Sequence, residues 1–184
     1  MVGTREVYTF GIKQAWLGAY NAGGAVATWI EFPIVTDGSV ELTTEKTEVR
    51  DGMGLRKTTW SHTLGGRVTL RGNMYSMRIL EMVTGSAVSS YTNTDMIYLG
   101  SEDELTPPAV RLKLLALAKD ASDNEGYLYV YCYRAKGNMP SIGMAQTAPG
   151  EVEIQFDLES DTKNHLGNTL PSARYGQSEI VMTP

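Results

Sequence analysis

The sequence predicts a mainly β fold: a small β-barrel or sandwich with one flanking α-helix and extended arms or loops. Three patterns carry this expectation. Between residues 150 and 160, Val152, Ile154, Phe156 and Leu158 alternate with Glu151, Glu153, Gln155, Asp157 and Glu159. A period of two puts the apolar set on one face of a strand and the polar set on the other. Two apolar runs, 110–118 and 127–135, flank a polar turn at 120–126 and read as a hairpin. One window alone has helical spacing: Met74, Met77, Leu80 and Val83, with Ile79 and Met82 beside them, form an apolar stripe.

Taken in order, residues 1–27 form an N-terminal arm. Val7, Phe10, Ile12, Trp16, Leu17 and Tyr20 follow no sustained period, and Asn21-Ala22-Gly23-Gly24 signals a turn. Strand signals begin at Thr28 with Trp29, Ile30, Phe32, Ile34 and Val35, and Pro33 marks an edge or a break. Asp37-Gly38 reads as a turn between that run and a second strand at 40–50. A charged, glycine-containing loop follows at 50–57, then a long strand or hairpin at 58–72 interrupted by Gly65-Gly66. The helix is expected at about 73–84, with Asn73 as N-cap, an Arg78–Glu81 pair on its wet face and Gly85 as a left-handed C-cap. A polar stretch with a short strand candidate at 96–99 leads to the hairpin, and the acidic strand completes the domain 28–160. Residues 161–184 form a polar C-terminal extension. In all, five to eight strands and one helix are expected.

The chain has 184 residues, 42% of them hydrophobic and 20% charged, enough for one domain with a substantial core. Its net charge of -5 argues against tight binding to a phosphate backbone, which needs clustered cations. With one cysteine, Cys132, no intrachain disulfide can form, and its apolar surroundings favour a buried thiol. The N-terminal residues carry no apolar signal-peptide core, and no window approaches a membrane span.

Few patterns point to chemistry. The two histidines, His62 and His165, lie far apart and outside any metal-ligand spacing. The loop Arg50, Asp51, Met53, Leu55, Arg56, Lys57 superficially suggests a phosphate loop but lacks the Gly-Lys ending and a following helix. A protein-contact element fits it better. Asp120, Asp123 and Glu125 do not match a calcium loop, and a hairpin turn fits them better. Tyr127, Tyr129, Tyr131 and Tyr133 share one strand face, where they can stack bases or sugars, or pack half-buried. The carboxylates of 151–159 can be read as a glycosidase pair, with Glu151 or Asp157 as the acting acid, or as a repeated surface charge. The second reading leaves a wet face that repels anions. Arg67, Arg71, Arg111 and Lys113 are expected on wet strand faces, where they would line the same surface or pair across strands.

The order of these elements resembles bacteriophage tail tube proteins, also called major tail proteins. The resemblance runs from about Thr28 to Ser160. It rests on the first strand pair, the charged loop 51–57, the strand ending Gly66-Arg67-Val68-Thr69-Leu70-Arg71-Gly72, the helix closing Leu80-Glu81-Met82-Val83-Thr84-Gly85, the late hairpin and the acidic last strand. Tube proteins of type VI secretion and of phage-like contractile particles look similar. The resemblance implies a non-enzymatic structural subunit without cofactor or metal, made in the host cytoplasm and incorporated in the virion tail. Such subunits form hexameric rings that stack into a hollow conduit for DNA, which passes without specific binding and without a membrane step. It also implies contacts with tape measure, tail tip or baseplate, and terminator proteins. Residues 1–27, 50–58 and 161–184 would then meet neighbouring subunits, and Glu151, Glu153, Gln155, Asp157 and Glu159 would face the lumen. Two other readings compete: a monomeric β-barrel module binding a small ligand or sugar on its tyrosine face, and a hydrolase.

Overall fold

A computed structural model describes residues 7–26, 28–33, 35–50, 53, 56–73, 76–92, 94–97, 107–138, 140–143 and 150–182. Over these the chain is mainly β, with one short helix and thirteen strands, more than the sequence pattern reveals. They are β1 (Val7–Ala19), β2 (Trp29–Glu31), β3 (Val35–Arg50), β4 (Arg56–Gly72), α1 (Met77–Thr84), β5 (Ser89–Tyr91), β6 (Thr94–Met96), β7 (Ala109–Asp120), β8 (Glu125–Gly137), β9 (Ser141–Gly143), β10 (Glu151–Glu159), β11 (Asp161–Lys163), β12 (Thr169–Arg174) and β13 (Gly176–Met182).

Nine strands form one antiparallel sheet in the order β2-β1-β7-β8-β10-β4-β3, with β13 also on β8 and β9 on β10. The sheet rolls until β3 lies against β1, and the Ile12 side chain reaches the α-carbon of Gly38 so closely that a Cβ there would sit 2.5 Å from Ile12 Cδ1. Among the described residues no ladder joins β1 to β3, and no closed barrel is found. Asp37-Gly38 therefore does not turn the chain. It lies inside β3 beside a register shift between Val35 and Asp37, and its glycine serves close packing.

Residues 7–19, grouped above with an N-terminal arm, are a sheet strand paired along its whole length with β7. Register shifts between Phe10 and Ile12 and between Ile12 and Gln14 break the period of two. A bulge exchanges the two faces, so alternation is lost from the sequence although the strand is intact. Ala15 and Leu17 are fully buried. The expected hairpin 110–135 and the alternating strand are as read: β7 pairs with β8, and β10 buries Val152, Ile154, Phe156 and Leu158. The 120–126 segment is a turn whose Asp120 carboxylate accepts the Ser122 and Asn124 backbone N–H groups at 2.9 and 3.0 Å.

Helix α1 starts at Met77, later than the 73–84 expected, with Ser76 rather than Asn73 at the N-cap and no side-chain cap bond. Met74 lies outside the described residues. Its end is as read: Gly85 takes φ 76°, and its N–H bonds the Glu81 carbonyl at 2.9 Å. Glu81 Oε1 accepts the Val88 N–H at 3.4 Å, which ties the chain after the helix back to its last turn. Ile79 and Val83 close one end of the roll against Val152, Ile154, Phe156 and Phe32. At the other end an apolar cavity of about 420 Å³, lined by Ile12, Gly38, Val40, Leu114, Leu128 and Val130, opens to the surface.

The segment 161–182 continues the same domain. Its strands β11 and β12 pair with each other, and β13 takes over the edge of β8 where β10 departs: β10 pairs with Arg134–Gly137 of β8, and β13 with Gly126–Cys132. The handover is tight. A Cβ on Gly176 would overlap the Tyr131 carbonyl oxygen, which is backbone and cannot swing aside. Gly176→Ala is expected to lower stability by about 1–3 kcal/mol, as overpacking does, measured by denaturant unfolding.

Candidate functional site

Three surfaces stand out. The first is a ribbon. In β3 and β4, seven ladder pairs from Thr44–Thr63 to Arg50–Arg56 lie beyond the last residue of β4 that meets β10, Gly66. This part of the hairpin projects roughly 20 Å at about 3.4 Å per residue. Among the described residues no third strand ladders onto it. Thr44, Glu45, Lys46, Ser61 and His62 are exposed, and His62 Nε2 pairs with Glu45 at 3.5 Å on the surface. Met53, near the tip, is 84% exposed. Of the other loop candidates, Arg50 ends β3, and Arg56 and Lys57 open β4. Asp51 and Leu55 lie outside the described residues.

The second surface is the polar face of β10. Val68 and Leu70 of β4 lie opposite Phe156 and Ile154, which puts Arg67 opposite Asp157 and Arg71 opposite Glu153. Arg67 Nε reaches Asp157 at 3.2 Å, and Arg71 Nε reaches Glu153 at 2.7 Å. Glu159 holds Arg134 at 2.7 Å and Lys136 at 3.1 Å from β8. Gln155 donates to Glu153 at 2.8 Å, and that bond, then Arg71, holds the Glu153 carboxyl below its usual range. The expectation of an anion-repelling wall is corrected here. Glu151, Glu153, Gln155, Asp157 and Glu159 do share one face, but three of the four carboxylates are matched by cations from flanking strands. Charge on a sheet face is set by the register of three strands, and one strand's sequence shows a third of it.

The third surface is the outer edge of β13. Its ladder to β8 runs without a shift from Gly176 to Met182, and Ile180 and Val181 are 48% and 44% exposed. No proline, lysine or bulge interrupts it, and these are the usual protections of a free strand edge. Beside it a second opening of about 310 Å³, lined by Val40, Leu42, Leu158, Tyr175 and Ser178, leads to the core.

The tyrosine stripe is filled by the chain itself. Tyr133 and Tyr131 are buried. Lys113 Nζ sits 5.0 Å from the Trp16 and Tyr129 ring centres, and the His165 ring stacks on Tyr131 at 3.8 Å. Tyr127 remains at the surface.

Arg111 corrects another expectation. Expected on a wet face beside Lys113, it is fully buried. The register of β7 on β8 shifts between Val110 and Leu112, and the displaced Arg111 turns inward. Its Nε donates to the Tyr133 carbonyl at 3.1 Å, Nη1 to Gly24 at 2.9 Å and Nη2 to Asn21 at 3.4 Å, and Asp161 stands 3.6 Å from Nη2. The guanidinium groups of Arg111 and Arg134 both lie over the Tyr20 ring, at 5.3 and 5.1 Å. Burial, then Asp161, pushes the Tyr20 hydroxyl up. Cys132 is buried and its thiol is pushed up to about 12, so it is held as a thiol and not as a nucleophilic thiolate.

No helix of the described residues is long and apolar enough to cross a membrane. No family model matches the chain, and no curated protein matches it.

Proposed function

We propose that this chain is the structural subunit of a phage tail tube, assembling into hexameric rings that stack into a hollow conduit for DNA ejection. The observation that carries the reading is the projecting ribbon. An isolated two-stranded hairpin is marginal in water, and ordering it costs conformational entropy that only a partner surface can offset. Among the described residues the ribbon has no ladder partner beyond its own two strands. A second copy supplies one without any other component.

The edge of β13 supports the same reading. A ribbon at one place and an open strand edge at another give a heterologous pair of surfaces, which closes into rings or propagates into fibres. The resemblance in order of elements to tail tube proteins favours the closed, stacked form. A tube subunit of a type VI or phage-like contractile particle has the same requirements and is the nearest relative of this reading. The polar face of β10, with its carboxylates and arginines paired within the sheet, offers few unpaired cations to DNA, as a lumen surface requires. A ligand module on the tyrosine face has less support, because Tyr131 and Tyr133 are covered by the protein's own side chains.

The edge is tested by Ile180→Lys with Val181→Lys. Both side chains are half exposed, so stability is expected to change by less than about 1 kcal/mol. Assembly, followed by sedimentation, is expected to be lost or strongly weakened. Unaltered particles would exclude this edge from the interface.

A further inference from the structure

We propose that the turn between β11 and β12 is a pH-responsive latch, closed by His165 on Tyr131, that fastens the strap 161–174 to the sheet. The imidazole lies flat on the Tyr131 ring, with 3.8 Å between centroids and 6° between planes. Its Nδ1 is sealed from solvent and has no hydrogen-bond partner among the described residues. A neutral ring with its proton on Nε2 fits that position, because Nδ1 then presents only a lone pair. A proton added at Nδ1 would need an acceptor that the site does not offer.

The turn has few other fastenings. Asp161 meets Arg111, Lys163 Nζ donates to the Gly23 carbonyl at 3.3 Å, and Gly167, at φ 84°, lies directly on the backbone of Gly24 and Ala25. The strap thus rests on the 21–25 turn, and opening one exposes the other. The groups acting on His165 are Tyr131 from β8, which stacks on it, Glu179 from β13, and Arg111 and Lys113 from β7. Burial is the largest influence and favours the neutral ring, Arg111 and Lys113 add to it, and Glu179 opposes it.

The direction of the response follows. A free imidazole titrates near 6.5, and the docked one is held lower. Docking is therefore at full strength above that value and weakens as pH falls below it. The open-to-closed ratio rises by up to about tenfold per pH unit until the docked ring itself protonates. The latch belongs to the single chain and does not depend on assembly.

Hydrogen–deuterium exchange on the full chain tests it, at about pH 7.5 and about pH 5, either side of the free imidazole value, with intrinsic rates corrected. Peptides covering 161–174 are compared with one covering 112–118 in β7. In the wild type, the strap peptides are expected to lose protection several-fold on acidification relative to β7. His165→Phe keeps a flat ring on Tyr131 but takes no proton, and its strap protection is expected to be the same at both values. His62→Phe is expected to respond as the wild type does. An equal response in the wild type and His165→Phe overturns the latch, as does loss of the response in His62→Phe. Should His165→Phe loosen the strap at every pH, Glu179→Gln decides. Removing the carboxylate that favours protonation of the docked ring enlarges the loss at low pH, and an unchanged loss overturns the proposal.

Discussion

Excision of the distal ribbon, with residues 44–64 replaced by Asn-Gly, is expected to leave a folded monomer that forms no tubes. Thr43 and Gly65 face each other in the ladder, so a two-residue turn can close the shortened hairpin there. The buried Val68 and Leu70 of β4 lie on the body side of the cut, which removes one bond to the body, from the Tyr175 hydroxyl to the Thr63 carbonyl at 3.3 Å. The monomer is expected to lose less than about 1 kcal/mol, while assembly is lost altogether. Replacing only Met53, Leu55, Arg56 and Lys57 with Gly and Ser probes the tip by itself and is expected to slow or block tube growth. Tubes from the excised variant, seen by electron microscopy, would remove the ribbon from the assembly interface.

Asp161→Ala is expected to destabilise the monomer by about 3–5 kcal/mol, the cost of leaving a buried cation without its counter-charge. Arg111 is fully buried, and its three carbonyl acceptors do not neutralise it. At about 2–4 °C per kcal/mol for a chain of this size, the melting temperature should fall by roughly 10 °C. Combining Arg111→Met with Asp161→Ala is expected to recover part of the loss, because the uncompensated charge is then gone. Denaturant unfolding of the four proteins in the ribbon-excised background measures this free of assembly. A single-variant loss under about 1 kcal/mol would show that the pair is not what holds the strap's first residue to β7.

The sequence shows most where a strand keeps its register. β10, β7 and β8 alternate or run apolar without hidden shifts over most of their length, and α1 ends where glycine must end it. It shows least at bulges. The two shifts in β1 make a sheet strand look like an irregular arm, and the shift at Val110 hides the most buried arginine in an apolar run. Gly38 shows a different limit: a glycine after aspartate has the composition of a turn, yet its reason is Ile12, more than twenty residues earlier in the chain. The surfaces follow the same rule. The alternation of 151–159 displays its carboxylates, but the arginines that match them come from β4, and only the ladder register brings them together. The aromatic stripe of β8 is visible as tyrosines, while Lys113, Trp16 and His165, which fill it, come from three other elements. Nothing in the composition of β7 separates the buried Arg111 from Lys113, two residues on.

Self-assembly is the central claim, and direct imaging of the purified wild-type chain tests it. Negative-stain microscopy across a wide concentration range is expected to show rings and stacked hollow tubes. A monodisperse monomer at every concentration, by microscopy and light scattering alike, would contradict it.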